Sequence, residues 1–118
     1  MIEFEFVGKG KMKAVMYDIG NYPGAVKDDS GNEVLGDLYR ILDEEMVLDI
    51  LDRYENYNKE NERSCEYVRR KTRIRTNAGE FRMAWVYWYN GDISSKQRIE
   101  ERDYLDYLKK KIGGFKRD

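Results

Sequence analysis

Tyr67-Val68-Arg69-Arg70-Lys71-Thr72-Arg73-Ile74-Arg75-Thr76, then Asn77-Ala78-Gly79-Glu80, then Phe81-Arg82-Met83-Ala84-Trp85-Val86-Tyr87-Trp88-Tyr89, is the passage that sets the architecture. Two arms rich in β-branched and aromatic residues flank four turn formers, which reads as an antiparallel hairpin. The second arm carries large residues on both faces, as a central strand buried on two sides would. In the first arm, a period of two puts Arg69, Lys71, Arg73 and Arg75 on one face. Such a strip resembles an RNA-binding surface. Glu60, Glu62, Glu66 and Glu80 lie close by, however, and the residue balance is not basic, so the strip reads as a solvated, ion-paired face. Trp85, Tyr87, Trp88 and Tyr89 read as strand core rather than as a stacking platform.

Working upstream, Asn56 to Cys65 is polar and aperiodic and reads as an exposed loop. Before it, Asp43 to Tyr54 predicts a helix: Asp43 caps, Glu44 and Glu45 suit its positive end, and Met46, Val47, Ile50, Leu51 and Tyr54 form a stripe expected to lie on the sheet. Further back, Phe4–Val7, Lys11–Tyr17 and the region of Val34, Leu35, Leu38, Tyr39 and Ile41 read as strands, with Gly36 marking a close approach or a bulge. Turns are expected at Gly20-Asn21-Tyr22-Pro23-Gly24 and at Asp28-Asp29-Ser30-Gly31-Asn32. Downstream, Ile99 to Lys111 predicts a short helix with Ile99, Tyr104 and Leu105 or Leu108 inward, and 113–118 a loose tail. The chain therefore reads as one domain over 1–112 plus a flexible tail over 113–118.

Composition narrows the chemistry. With 22 basic and 23 acidic residues among 118, the formal charge is -1, which supplies no field for nucleic acid or an anionic membrane. Cys65 is the single cysteine, so no intrachain disulfide can form, and the expected compartment is the reducing cytoplasm. No apolar run approaches a membrane span, and no signal-peptide pattern opens the chain. There is no His, which leaves carboxylates, Tyr, Lys, Arg or backbone groups to carry any catalysis. Cys65 lacks a His partner and does not read as a catalytic thiol.

Four words of the sequence, in order, carry a family resemblance: Tyr17-Asp18-Ile19-Gly20-Asn21-Tyr22-Pro23-Gly24-Ala25-Val26; Val34-Leu35-Gly36-Asp37-Leu38-Tyr39; Leu51-Asp52-Arg53-Tyr54-Glu55 followed by Tyr67-Val68-Arg69; and Ala84-Trp85-Val86-Tyr87. Together they resemble the gamma-glutamylcyclotransferase-like family. The resemblance implies an α+β fold, a small mixed β-barrel with flanking helices and a ligand cavity at its mouth. It also implies an activity in which the α-amine of a small gamma-glutamyl amide attacks its own side-chain carbonyl, giving 5-oxoproline and a free amine with no metal or cofactor. Glu55 falls on the family's general acid and base, and Tyr22, Pro23, Gly24 and Tyr67 are the expected substrate wall.

The resemblance has two departures. Family enzymes open with a strand leading into a Tyr-Gly-Ser/Thr-Leu loop whose amides hold the glutamyl carboxylate and the oxyanion. This sequence opens instead with Met1-Ile2-Glu3-Phe4-Glu5-Phe6-Val7-Gly8-Lys9-Gly10, and its Arg102-Asp103-Tyr104 replaces the family's Gly-Asp-Trp. A catalytically silent relative that binds a small ligand or protein is the alternative reading. A barrel lacking its first strand exposes an edge, so a homodimer through the N-terminal sheet edge is expected.

Overall fold

A computed structural model describes residues 4–20, 22–101 and 103–104 of the chain, and its spine is a single long strand, β1, Phe4–Asp18. Every described ladder is antiparallel. β1 pairs with β3 (Glu33–Ile41) along Phe4 to Lys13, with β2 (Pro23–Lys27) along Ala14 to Asp18 and with β6 (Gln97–Ile99) along Met16 to Asp18. β4 (Tyr67–Thr76) meets β1 only at Gly10 and Lys11 and carries β5 (Phe81–Tyr89) as the expected hairpin. Gly10 makes that crossing possible, because a Cβ there would stand 2.6 Å from Ile74 Cγ2.

The sequence pattern splits β1 in two near Gly8, whereas the strand runs through. A bulge between Phe6 and Gly8 absorbs the irregularity, with Gly8 at φ 152°. Gly36 is neither a bulge nor a close approach: it faces Gly10 across the β1/β3 ladder with no atom within 4 Å of its would-be Cβ. The second predicted turn is in place, and the first is shorter than expected, because Pro23 and Gly24 already pair with Asp18 and Tyr17 as the start of β2. Asp18 accepts from the Gly20 amide at 2.9 Å in the first, Asn21 itself lying outside the described residues. In the second, the Asp28 carboxylate collects the Ser30 amide and hydroxyl and the Asn32 side chain.

Ala14, Met16, Val34, Trp88 and Ile99 form the core, with Met12, Ala25, Val68, Val86 and Tyr104 packed against it. Ile99 therefore belongs to a short strand and not to the expected helix, whose remaining stretch from Leu105 to Lys111 lies outside the described residues, as does the 113–118 tail. β5 is not buried on both sides. Trp88 is buried, but Phe81 and Met83, at the turn end of the hairpin, are 56% and 60% exposed. The fold is α+β with a six-stranded antiparallel sheet, and the barrel is not closed: Gly24 of β2 packs on Tyr89 of β5 without a described ladder between the two strands. Among the described residues no helix is long and apolar enough to cross a membrane.

Candidate active site

Glu55 owes its position to the helix before it. α1, Glu44–Tyr54, starts at Asp43, which sits in the left-handed region (φ 54°) and accepts a hydrogen bond from the Met46 amide. Its buried residues are Val47 and Leu48. Leu51, Asp52 and Glu55 continue the same face and are half-buried, whereas Met46, Ile50 and Tyr54 of the expected stripe are exposed. The apolar period is thus correct and the sheet-facing side is rotated by about one residue. Glu55 closes the helix, its amide donating to the Leu51 carbonyl at 2.9 Å, and Asn56 turns the chain away at φ 56°.

The half-buried Glu55 carboxyl is pushed above its ordinary value, first by burial and then by the neighbouring charge of Glu66. Glu66 in turn accepts from the Tyr22 hydroxyl, at 3.0 and 3.2 Å to its two oxygens. Tyr67 packs edge-on against Tyr89 with ring centroids 5.5 Å apart, leans on Tyr22 at 6.1 Å, and donates its hydroxyl to the Pro23 carbonyl at 3.2 Å. Burial, followed by the proximity of Tyr22, Glu66 and Glu55, raises the Tyr67 phenol well above its usual range. Gly24 lets this arrangement close, since a Cβ there would lie 2.9 Å from both Ile19 Cγ1 and Tyr89 Cβ. Of the five residues expected from the sequence, Tyr22, Pro23, Gly24 and Tyr67 are brought together at the starts of β2 and β4, and Glu55, at the end of α1, is near enough for its charge to act on Tyr22 and Tyr67.

Sequence reasoning missed Glu66, although it directly precedes Tyr67. It also missed the anchor beneath Glu55. Asp52, one helical turn earlier, receives Arg69 Nε at 2.8 Å and a second Arg69 nitrogen at 3.0 Å, and the Tyr87 hydroxyl at 2.6 Å. The signal was available: an acidic residue inside an apolar stripe needs a partner. The Arg69 guanidinium lies 4.4 Å from the Trp85 ring centroid and 5.7 Å from that of Tyr57, so it is enclosed by aromatic rings as well as paired. The 56–65 loop is more ordered than expected. It winds into a 3-10 segment, Lys59–Ser64, and Cys65 is buried with its sulfur accepting from the Asn58 amide at 3.3 Å. Arg70 grips Glu62, which Tyr57 also donates to, and these bonds hold the Glu62 carboxyl down at about 2. Two concavities, of about 700 and 650 Å³, lie on the sheet and beside α1, and Glu55 is on the wall of neither.

The model of the family described as gamma-glutamyl cyclotransferase, AIG2-like, matches residues 2–106. Among solved structures, protein ytfP of Escherichia coli is 32% identical with a TM-score of 0.61, the match covering 87% of this chain and 79% of that one. The uncharacterized protein PH0828 of Pyrococcus horikoshii is 15% identical with a TM-score of 0.63, covering 96% of this chain and 81% of that one. YkqA of Bacillus subtilis, also 15% identical, has a TM-score of 0.66, and the match spans 96% of this chain but 43% of YkqA. These last two similarities concern the fold. No curated protein matches. A family model spanning most of the sequence, a relative at 32% identity and the shared sheet-and-helix architecture lead to one assignment: the chain belongs to the gamma-glutamyl cyclotransferase, AIG2-like family.

Proposed function

We propose that this protein cyclises a small gamma-glutamyl amide to 5-oxoproline and a free amine, with Glu55 as the single general acid and base. The observation that carries the reading is the state of Glu55, a half-buried carboxyl with raised proton affinity at the end of α1, beside Tyr22 and Tyr67. In the reaction the substrate α-nitrogen bonds to the γ-carbonyl carbon as the C–N bond to the leaving amine breaks. Glu55 takes the proton that the attacking nitrogen must lose and returns it to the departing nitrogen, so no water, metal or cofactor is consumed. Tyr22, Pro23, Gly24 and Tyr67 form the wall that folds the substrate toward attack.

Purified protein incubated with a panel of gamma-glutamyl amines is expected to release 5-oxoproline, and Glu55→Gln is expected to lower the rate by about 100-fold or more. Equal product from the variant would remove Glu55 from the chemistry. The sequence given contains no Tyr-Gly-Ser/Thr-Leu word, which favours a second reading, a family member that binds such a ligand or a protein without turning it over. Saturable calorimetric binding of a gamma-glutamyl amide with no 5-oxoproline across the panel would select that reading. In either case the proposal includes a homodimer formed through the N-terminal part of β1, and a cytoplasmic location.

A further inference from the structure

The 700 Å³ cleft lies between β1, the end of β2 and the β4–β5 hairpin and shares no residue with the Glu55 cluster. Its size is that of a small-molecule site. Its apolar surface comes from Met12, Val68 and Trp88, all part of or packed on the core, and from the exposed Phe81. Lys11, Lys13 and Lys27 stand on its wall, and among the described residues none of them is held by an ion pair. The arginines there are differently employed. Arg70 is bound to Glu62, Arg75 to Glu33 at 2.9 Å, and the Arg73 guanidinium stacks 3.9 Å from the Phe81 ring centroid. Glu33 and Asp29 are the acidic groups of the wall, and Glu33 is occupied by Arg75. Lys71, also on the wall, lies 5.3 Å from the Trp85 ring centroid, and among the described residues neither it nor Arg73 has an ion pair, so uncompensated positive charge on Lys11, Lys13, Lys27, Lys71 and Arg73 surrounds an apolar floor. The occupant that matches both is an acid group on an apolar body. A polyanion fits less well, because the chain as a whole carries a formal charge of -1 and offers no extended field to hold one.

We propose that this cleft binds a small amphipathic organic anion, its acid group against Lys11, Lys13 and Lys27 and its apolar body on Met12, Val68 and Trp88. The site goes beyond the cyclisation reading and does not depend on it. The test uses 1-anilinonaphthalene-8-sulfonate as the anion and its uncharged analogue N-phenyl-1-naphthylamine, each titrated by fluorescence into the full chain. One-to-one binding of the sulfonate is expected. A triple variant, Lys11→Gln, Lys13→Gln and Lys27→Gln, is expected to weaken it about tenfold while leaving the uncharged probe unaffected. A control removing the same charge elsewhere, Arg53→Gln, Lys59→Gln and Arg63→Gln, is expected to keep the parent affinity, as is Glu55→Gln. The Glu55→Gln arm separates failure of this proposal from failure of the cyclisation reading. The proposal is overturned by any of four results: no saturable binding, equal losses in the two triple variants, equal losses for the two probes, or displacement of the sulfonate by a single-stranded RNA oligonucleotide at lower concentration than by laurate.

Discussion

At the scale of single residues, the position of Glu55 follows from helical arithmetic. It comes eight residues after Val47 and four after Leu51, so it prolongs the buried face of α1 beyond the last turn, where a carboxylate meets both the sheet edge and Glu66. Burial and a like charge both disfavour ionisation, so the carboxyl titrates above the ordinary 4.5. If Glu55 acts as the base, activity rises as pH rises through that value, and the acid limb of kcat/KM is expected to have its midpoint above 4.5. Glu66→Gln removes the second cause and is expected to move the limb toward lower pH. A limb at or below the ordinary carboxylate value, or one that Glu66→Gln does not move, would contradict this. The residues around Glu55 were legible from the family words, because those words are contiguous and each holds its own turn or strand start. Glu66 was not, since its role depends on Tyr22, a partner 44 positions away.

Among the elements, α1 shows where periodicity succeeds and where it stops. The cap at Asp43 and the span to Tyr54 are local properties and were readable. Which of two adjacent apolar rows faces the sheet is not local. Met46, Ile50 and Tyr54 lose to Val47, Leu48 and Leu51 because the Asp52–Arg69–Tyr87 cluster fixes the rotation of the helix on the hairpin. That cluster is nearly enclosed, with side-chain exposures of 20% for Asp52 and 14% for Arg69. Asp52→Ala leaves a largely buried guanidinium and phenol without their acceptor and is expected to lower stability by about 2–3 kcal/mol, measured by urea unfolding. Asp52→Asn keeps an acceptor and is expected to cost roughly half as much. A loss below about 0.5 kcal/mol for the alanine variant would mean that apolar packing alone sets the rotation. The expected ion-paired strip on β4 is half borne out: Arg69 and Arg75 are engaged by Asp52 and Glu33, whereas Lys71 and Arg73 lie over the Trp85 and Phe81 rings with no ion pair among the described residues. The partners of Arg69 and Arg75 could not be named beforehand, since one lies on a helix and the other on a strand paired to β1.

For the whole molecule, the consequence of an unclosed sheet is concentrated at its N-terminal end. From Phe4 to Lys9, β1 is paired to β3 on one edge, and among the described residues no strand pairs with the other. Phe4, Phe6 and Tyr39 pack on one another there yet remain 49%, 56% and 49% exposed. A second copy added antiparallel about Val7 would satisfy the free backbone groups and cover these rings. It would also set Glu5 of each copy across from Lys9 of the other, so the register is self-complementary in charge. Light scattering at micromolar concentration is expected to give twice the 14.1 kDa chain mass. Reversing one charge, Glu5→Lys or Lys9→Glu, is expected to weaken the dimer several-fold, and combining the two to restore it. Both residues also pair within their own chain, with Arg40 and Asp37, so loss of those bonds in a single variant is a competing explanation. That explanation predicts additive damage in the double variant, whereas strand pairing between copies predicts rescue.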